Sequence, residues 1–335
     1  MAVPPSRYLV GSLPWYSVLI VLGASIAVFL AIREEKQVGL PKDTIIDLAL
    51  WVLPSGILGG RVYYVLFSWS SYRNNPLSAL YVWEGGMAIY GALIAGLIAM
   101  FLFCRRRRLS LLSLCDVVVP GVALAQSIGR WGNYFNREAY GLPLNNPTLC
   151  FFPLAVLIDE SGTPVWHMAT FFYESLSDFF VFILLIWGRR KLFRHRGDVF
   201  FAYLFLYGSA RLVIENFRMD SLYSGGTTVR ISQLLSVCIC GVLIGLALLR
   251  FYREWKRTNE RIPWIRKTGL VFSLLAGVYT IPLLLYCLQP ELLSLPRPRD
   301  QLFFLAGYAA SGIVGMLLLE LPVRSSEVLY ANNPA

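Results

Sequence analysis

Arg130, Asn133, Asn136, Arg137 and Glu138 fall within nine positions, in the stretch SIGRWGNYFNREAYG at 127–141, directly after the apolar run VVVPGVALAQ. If the preceding helix continues through them, Arg130, Asn133 and Arg137 stand at i, i+3 and i+7, on one face. A second polar stripe, Tyr207, Arg211, Glu215 and Arg218 in YGSARLVIENFRMD at 207–220, has spacings of four, four and three and also shares a helix face. Arginine stays protonated, and its planar guanidinium makes paired bonds to carboxylate and phosphate. Two such stripes in one cavity suit an anionic phosphate ester, with Asn133 as a neutral donor and Glu138 and Glu215 orienting the arginines. A lone Arg at a helix end can snorkel, a lone Asn can cap, and an Arg211/Glu215 pair can neutralise itself. The extra charge of Arg218, and the clustering behind a Gly-Arg-x-Gly turn, favour a site over those readings.

The elements that must position these residues are membrane helices. The 335-residue chain is 56% hydrophobic and only 15% charged, against roughly 25% charged in soluble domains. Apolar runs recur near the ~20 residues that a helix needs to cross hydrocarbon, at 14–32, 45–69, 78–103, 111–133, 167–187, 199–217, 231–250, 269–288 and 302–321. The predicted fold is an all-α, polytopic integral membrane protein with about seven core spans and two C-terminal spans. Its predicted parts are a membrane domain over 1–257 and an extension over 258–335. The first span is too long, and ends too basic, for a cleavable signal.

The formal charge of +10 lies between spans, in REEK and PKD at 33–43, RRRR at 105–108, GRRKLFRHR at 188–196 and RFYREWKRTNERIPWIRK at 250–267. These are alternate loops, so the positive-inside rule puts the N-terminus outside and the C-terminus in the cytoplasm. The basic runs then answer to topology and anionic membrane lipid, and nucleic acid is not an expected partner. Both polar stripes approach the outer leaflet. The six cysteines show no CxxC spacing, so neither a metal site nor a disulfide framework is expected.

A third stretch, WEGGMAIYGALIAG at 83–96, breaks the apolar pattern with Gly85, Gly86, Gly91 and Gly96. Such glycines make packing seams or a local break lining a cavity. Tyr90 within it could be an interfacial aromatic.

These stretches together resemble the prolipoprotein diacylglyceryl transferase family. GRWGNYFNREAYG at 129–141 is similar to that family's signature of Gly-Arg-x-Gly-Asn followed by Asn, Glu and Gly. WEGGMAIYGALIAG, FYES at 172–175, YGSARLVIENFRMD and PWYSV at 14–18 follow the family's order, and together the stretches cover roughly residues 10–250. The resemblance implies transfer of an sn-1,2-diacylglyceryl group from phosphatidylglycerol to the lipobox cysteine of a prolipoprotein signal peptide, releasing glycerol 1-phosphate, in the bacterial cytoplasmic membrane. It implies no cofactor and no metal, and a monomer is expected. It assigns Arg130 to the phosphate, places Asn133, Glu138 and Gly141 in the same stretch, puts Arg211 and Glu215 in the catalytic region, and sets Tyr16 and Tyr207 nearby. Cationic groups in that pocket would raise the thiolate fraction of a cysteine whose ordinary pKa is about 8.5.

The chain departs from the family in three places. Tyr90 stands where many members have His, so Tyr90 is expected to donate or to position, and the base remains open. Met168 and Ala169 replace the family's His-Pro, with His167 one residue early and expected to be interfacial; His195 lies in a basic loop. Residues 258–335 add two apolar runs beyond the usual end. Competing classes are a transporter or channel for lipid or a small anion, and a non-catalytic lipid-binding scaffold. The absence of an inverted repeat weighs against the first, and tolerance to loss of Glu138 or Glu215 would mark the second.

Overall fold

The structure is a computed structural model that describes residues 3, 6–81, 85–160, 162–193, 195–221, 230–258, 264–288 and 298–320, with the side chains of 258, 264–265, 285–288, 298–304 and 317–320 left aside. Trp83 and Glu84 of the glycine-rich stretch, the loop 222–229 and the end of the last predicted span lie outside these residues. Ten helices are described: α1 Trp15–Gln37, α2 Thr44–Phe67, α3 Trp69–Tyr72, α4 Ile89–Arg107, α5 Leu111–Asn136, α6 Thr170–Lys191, α7 Asp198–Ile214, α8 Ile231–Thr258, α9 Trp264–Leu288 and α10 Pro298–Glu320. Two small antiparallel hairpins join them, β1 Tyr8–Val10 with β2 Leu13–Pro14, and β3 Ala155–Glu160 with β4 Thr163–Met168.

Among the described residues, seven helices are long and apolar enough to cross a membrane: α1, α2, α4, α5, α6, α8 and the Arg266–Leu284 part of α9. The protein is a multi-pass, all-α membrane protein. The sixth predicted span is shorter than expected, because α7 has 17 residues before the chain tightens into a 3-10 turn at Glu215–Phe217. At about 1.5 Å per residue, α7 alone falls short of a ~30 Å hydrocarbon core. In α10 the described side chains include the apolar segment Leu305–Met316. The third predicted span begins late: residues 76–80 form a 3-10 turn, and α4 starts only at Ile89.

The chain packs as two compact units, residues 24–121 and residues 1–23 with 122–335. In the first, α2 and α4 meet along a small-residue seam. A Cβ on Gly59 would lie 2.6 Å from the Gly91 carbonyl oxygen, so only glycine permits this approach. The N-terminus of α2 is capped from a distance. Glu35 accepts the backbone N–H groups of Asp43 at 2.9 Å and Ile45 at 2.7 Å, placing an anion at the positive end of the helix.

Arg61 of α2, only 5% exposed, donates to the carbonyls of Ser78 (2.9 Å), Ala79 (2.8 Å), Tyr81 (3.1 Å), Gly86 (3.0 Å) and Gly85. All its N–H groups are used on backbone, which ties the irregular segment before α4 to α2. Gly86 takes φ +73°, and a Cβ there would meet Arg61 Nη1 at 2.9 Å. The glycine-rich stretch is thus both a break and a seam: Gly85 and Gly86 turn the chain, while Gly91 packs.

In the second unit, Gly132 lets Tyr16 lie against α5, where a Cβ would come within 2.6 Å of the Tyr16 ring. Trp15 stacks on Phe135 at 4.8 Å. Helices α5 and α6 are joined by Ser127, whose hydroxyl donates to the Ser175 carbonyl at 2.8 Å, and by Trp131 Nε1 donating to Ser175 Oγ at 3.1 Å. A separate apolar core of Phe205, Leu212, Val237, Cys240, Leu243, Ile244, Ala276, Leu283, Leu305 and Tyr308 joins α7, α8, α9 and α10. The C-terminal helices therefore pack against the helix that carries Tyr207 and Arg211.

Candidate functional site

The continuous helical face expected for Arg130, Asn133 and Arg137 ends early. Helix α5 stops at Asn136, and Arg137 takes a left-handed conformation with φ +57°. Glu138 N–H bonds the Asn133 carbonyl at 2.9 Å and Arg137 N–H bonds the Tyr134 carbonyl at 3.2 Å. This is the Schellman pattern, which consumes the last free carbonyls of a helix and turns the chain away. Arg137 and Glu138 are exposed, and Arg130 alone of the two arginines remains on the inner face.

The turn delivers residues 139–144 to the edge of the β3–β4 hairpin. Gly141 N–H bonds the Met168 carbonyl at 2.8 Å and Leu142 N–H bonds the Phe217 carbonyl at 2.9 Å. Gly141 also bridges to Arg218. A Cβ at position 141 would sit 2.6 Å from the Phe217 oxygen and 2.8 Å from Thr170 Cγ2, so glycine is needed for the segment to lie flat on the turn carrying Arg218. His167 is fully buried here, with Nδ1 2.8 Å from the Gly141 carbonyl and Nε2 3.1 Å from Glu160. Arg230 at the start of α8 closes the other side of the turn, donating to the Glu215 carbonyl at 2.8 Å.

The two stripes meet on a residue that belongs to neither. Glu174 of α6 is 3% exposed. Arg130 Nη1 lies 2.9 Å from its Oε2, Arg218 Nη1 donates to its Oε1 at 3.0 Å, and Arg211 forms an ion pair with the same Oε1. Arg211 also reaches Glu215 Oε2 at 2.9 Å. Arg130 Nη2 donates to the Tyr207 hydroxyl at 3.4 Å. Arg218 is tied a second time, through Asp220, by Nε at 2.9 Å and Nη2 at 2.6 Å. Burial works against the charge of Arg218, but Glu174 and Asp220 outweigh it, and the guanidinium pKa stands above its ordinary value.

One helical turn along α6, Asp178 faces the same cleft of about 180 Å³, which is lined also by Arg130, Glu174, Ser177, Tyr207 and Arg211. Glu174, within FYES, and Asp178 belong to neither polar stripe. Two acids four residues apart on the otherwise apolar helix TFFYESLSDFFVFILLIW were the available signal. A larger groove of about 580 Å³ lies elsewhere, among α7, α8 and α10, and is mainly apolar apart from Asp198 and Arg250.

The structure thus gathers Arg130, Tyr207, Arg211, Glu215 and Arg218. Among the described residues no hydrogen bond joins the side chains of Asn133 or Glu138 to this cluster. Tyr16 packs on the same turn of α5 through Gly132, and Gly141 holds the Arg218 turn. Tyr90 lies in the first turn of α4, in the other unit, half-buried. Among the described residues no group of three or more His, Cys, Asp or Glu is placed to hold a metal ion. Three partly buried guanidinium groups thus converge on one carboxylate, and guanidinium pairs with flat, doubly accepting anions, carboxylate and phosphate being the common cases.

Residues 8–251 match the family described as prolipoprotein diacylglyceryl transferase. The phosphatidylglycerol–prolipoprotein diacylglyceryl transferase of Enterococcus faecalis is 41% identical over 256 residues, covering 73% of this chain and 92% of the relative. Proteins of the same name from Lactococcus lactis subsp. lactis and Finegoldia magna are 42% and 39% identical, covering 72% and 74% of this chain and 91% and 94% of the relatives. The matched segment takes in the α5 end, the Gly141 bridge, Glu174 and the Arg211 turn, and with them the whole arginine cluster: the chain belongs to the prolipoprotein diacylglyceryl transferase family.

Proposed function

We propose that this protein transfers the sn-1,2-diacylglyceryl group of phosphatidylglycerol to the thiol of a lipobox cysteine in a prolipoprotein signal peptide, forming a thioether and releasing glycerol 1-phosphate. The observation that carries the chemistry is the convergence of Arg130, Arg211 and Arg218, from different elements, on buried Glu174. The family membership supplies the substrates. In this reading Arg130 and Arg211 bind the phospholipid phosphate, exchanging their contacts with Glu174 for contacts with the phosphodiester. Charge gathers on the leaving phosphate as the carbon–oxygen bond breaks, and fixed donors in a water-poor site lower that barrier, each worth on the order of 3 kcal/mol.

Glu215 orients Arg211, and Tyr207 orients Arg130. Asn133, Glu138, Gly141 and Tyr16 shape the substrate side of the same stretch, and Tyr90 donates a hydrogen bond or positions substrate from the start of α4. The protein sits in the bacterial cytoplasmic membrane with its N-terminus outside and C-terminus in the cytoplasm, an orientation supported by the alternation of basic loops. Residues 1–257 form the transferase domain, and 258–335 an extension of two spans that buttresses α7.

The test is an assay of the purified protein with phosphatidylglycerol and a lipobox peptide, following thioether formation and glycerol phosphate release together. Arg130→Ala and Arg211→Ala are each expected to abolish turnover while the protein still inserts. Near-normal rates in either variant, or no product from folded wild type, would overturn the reading.

A further inference from the structure

The reaction needs a group that takes the thiol proton, and the site described above contains no histidine. The chain has two histidines. His167 is enclosed by the Gly141 carbonyl and Glu160 in the hairpin, and His195 precedes α7, where its backbone N–H donates to Asp198 at 2.8 Å. The proton acceptors that line the cleft are carboxylates. Glu174 is engaged by three arginines, and Glu215 beside it is paired with Arg211 at 2.9 Å.

Asp178 differs from both. It is 2% exposed, and among the described residues its carboxylate makes no hydrogen bond. Its Oδ2 is buried without a hydrogen bond, and its ion-pair contact, Arg130 Nε at 3.9 Å, is longer than the 2.9 Å contacts of Glu174 Oε2 and Glu215 Oε2. Within this unit the charged and titratable groups that act on it are Glu174 on its own helix, Arg130 on α5, and Arg211 and Tyr203 on α7. Tyr203 turns its hydroxyl to Gln126 Oε1 at 2.9 Å, leaving Asp178 without that donor. Burying a carboxylate without hydrogen bonds is costly, and structural acids in membranes are normally satisfied. An oxygen left open toward a cleft lined by arginines is placed to receive a proton from a ligand.

We infer that Asp178 is the catalytic base of this transferase, taking the proton of the lipobox thiol. The assignment rests on the transferase reading given above. The S–H proton passes to the Asp178 carboxylate, and sulfur forms a bond to the terminal glycerol carbon of the diacylglyceryl group. The bond from that carbon to the phosphate oxygen breaks, and its electron pair leaves with glycerol 1-phosphate. The proton then passes from Asp178 to the departing phosphate, which restores the carboxylate.

The experiment compares wild type, Asp178→Asn and Asp178→Glu as full chains, with phosphatidylglycerol and two peptides, one with the lipobox cysteine and one with selenocysteine in its place. A selenol ionises at neutral pH and needs no base. Asp178→Asn is expected to lose about 100-fold or more in kcat for the thiol peptide, in line with the usual worth of a general base. KM for phosphatidylglycerol should stay within about threefold on the same scale of effects, and most of the rate should return with the selenol peptide. Asp178→Glu should keep measurable thiol activity. Equal losses for thiol and selenol peptides, or a thiol rate within tenfold of wild type in Asp178→Asn, would overturn the assignment. Should Asp178→Asn fail to fold, an Asp178→Glu enzyme with an unchanged thiol-to-selenol rate ratio would overturn it instead. Wild type inactive on both peptides would overturn the transferase reading itself, a result separate from any of these.

Discussion

Arg211 and Arg218, seven positions apart in the chain, both contact the same oxygen, Oε1 of Glu174. Helix α7 cannot bring both there by itself. The chain leaves helical geometry at Glu215–Phe217, and Arg218 is extended at ψ 137°, so the second guanidinium returns to α6 from outside the helix. The bridge between Gly141 and Arg218 holds it in that position.

Removing the shared carboxylate leaves three partly buried cations facing one another. Glu174→Ala is expected to destabilise the protein by about 3 kcal/mol or more, the usual cost of breaking a buried ion pair from one side. Glu174→Gln keeps the shape and should lose less. Thermal unfolding in detergent checks the order, and a Glu174→Ala protein as stable as wild type would contradict the geometry.

Gly141→Ala introduces a Cβ 2.6 Å from the Phe217 carbonyl oxygen. That contact cannot be relieved by a flexible side chain, so the turn bearing Arg218 must move. Turnover is expected to fall at least about tenfold, since misplacement by an ångström can cost more than that. An assay beside Gly132→Ala, which meets the Tyr16 ring instead, would separate the two positions: a Gly141→Ala rate equal to wild type would count against the steric account.

Arg61→Ala removes the donors that satisfy five carbonyls and hold Ser78, Ala79, Tyr81, Gly85 and Gly86 to α2. Hydrogen exchange over residues 76–90 should quicken, with stability falling by about 1–3 kcal/mol for the unsatisfied groups. Arg61→Lys, with only three donors, should fall between. Unchanged exchange in Arg61→Ala would show that the segment holds itself.

Tyr90→Phe removes one hydroxyl and little volume. If that hydroxyl meets substrate, the rate with phosphatidylglycerol and lipobox peptide should drop roughly tenfold or more, within the range seen for lost donors. An unchanged rate would leave Tyr90 as packing in the first turn of α4.

Ser175→Ala removes the hydroxyl that donates to the Ser127 carbonyl and accepts from Trp131 Nε1, two of the bonds that seat α5 on α6. A loss of about 1–2 kcal/mol is expected, with a smaller loss of turnover than for the arginines. Equal losses of activity would mean that the helix seam itself, and not the cluster, sets the rate.

Much of this was legible in the residues. Charge in an apolar chain is costly, so Arg130 and the Tyr207–Arg218 stripe stood out, and helical spacing put Tyr207, Arg211 and Glu215 on one face. Runs of apolar residues located most of the helices. The end of α5 was less legible, since neither Arg137 nor Ala139 is a residue type that announces left-handed geometry, yet both adopt it. The β3–β4 hairpin within the loop at 134–166 was missed, because its pattern is short and lies among turn residues.

By itself the sequence determined that this is a helical membrane protein with two arginine stripes, because membrane solvation penalises every charge and helical periodicity converts spacing into direction. Only the tertiary structure decided that the stripes converge on Glu174, that Gly141 holds Arg218, and that Asp178 is left with only a long contact to Arg130. Those facts depend on which helices touch. Contact between residues 44 positions apart, as for Arg130 with Glu174 and again for Glu174 with Arg218, is set by packing across the whole unit, and no local spacing encodes it.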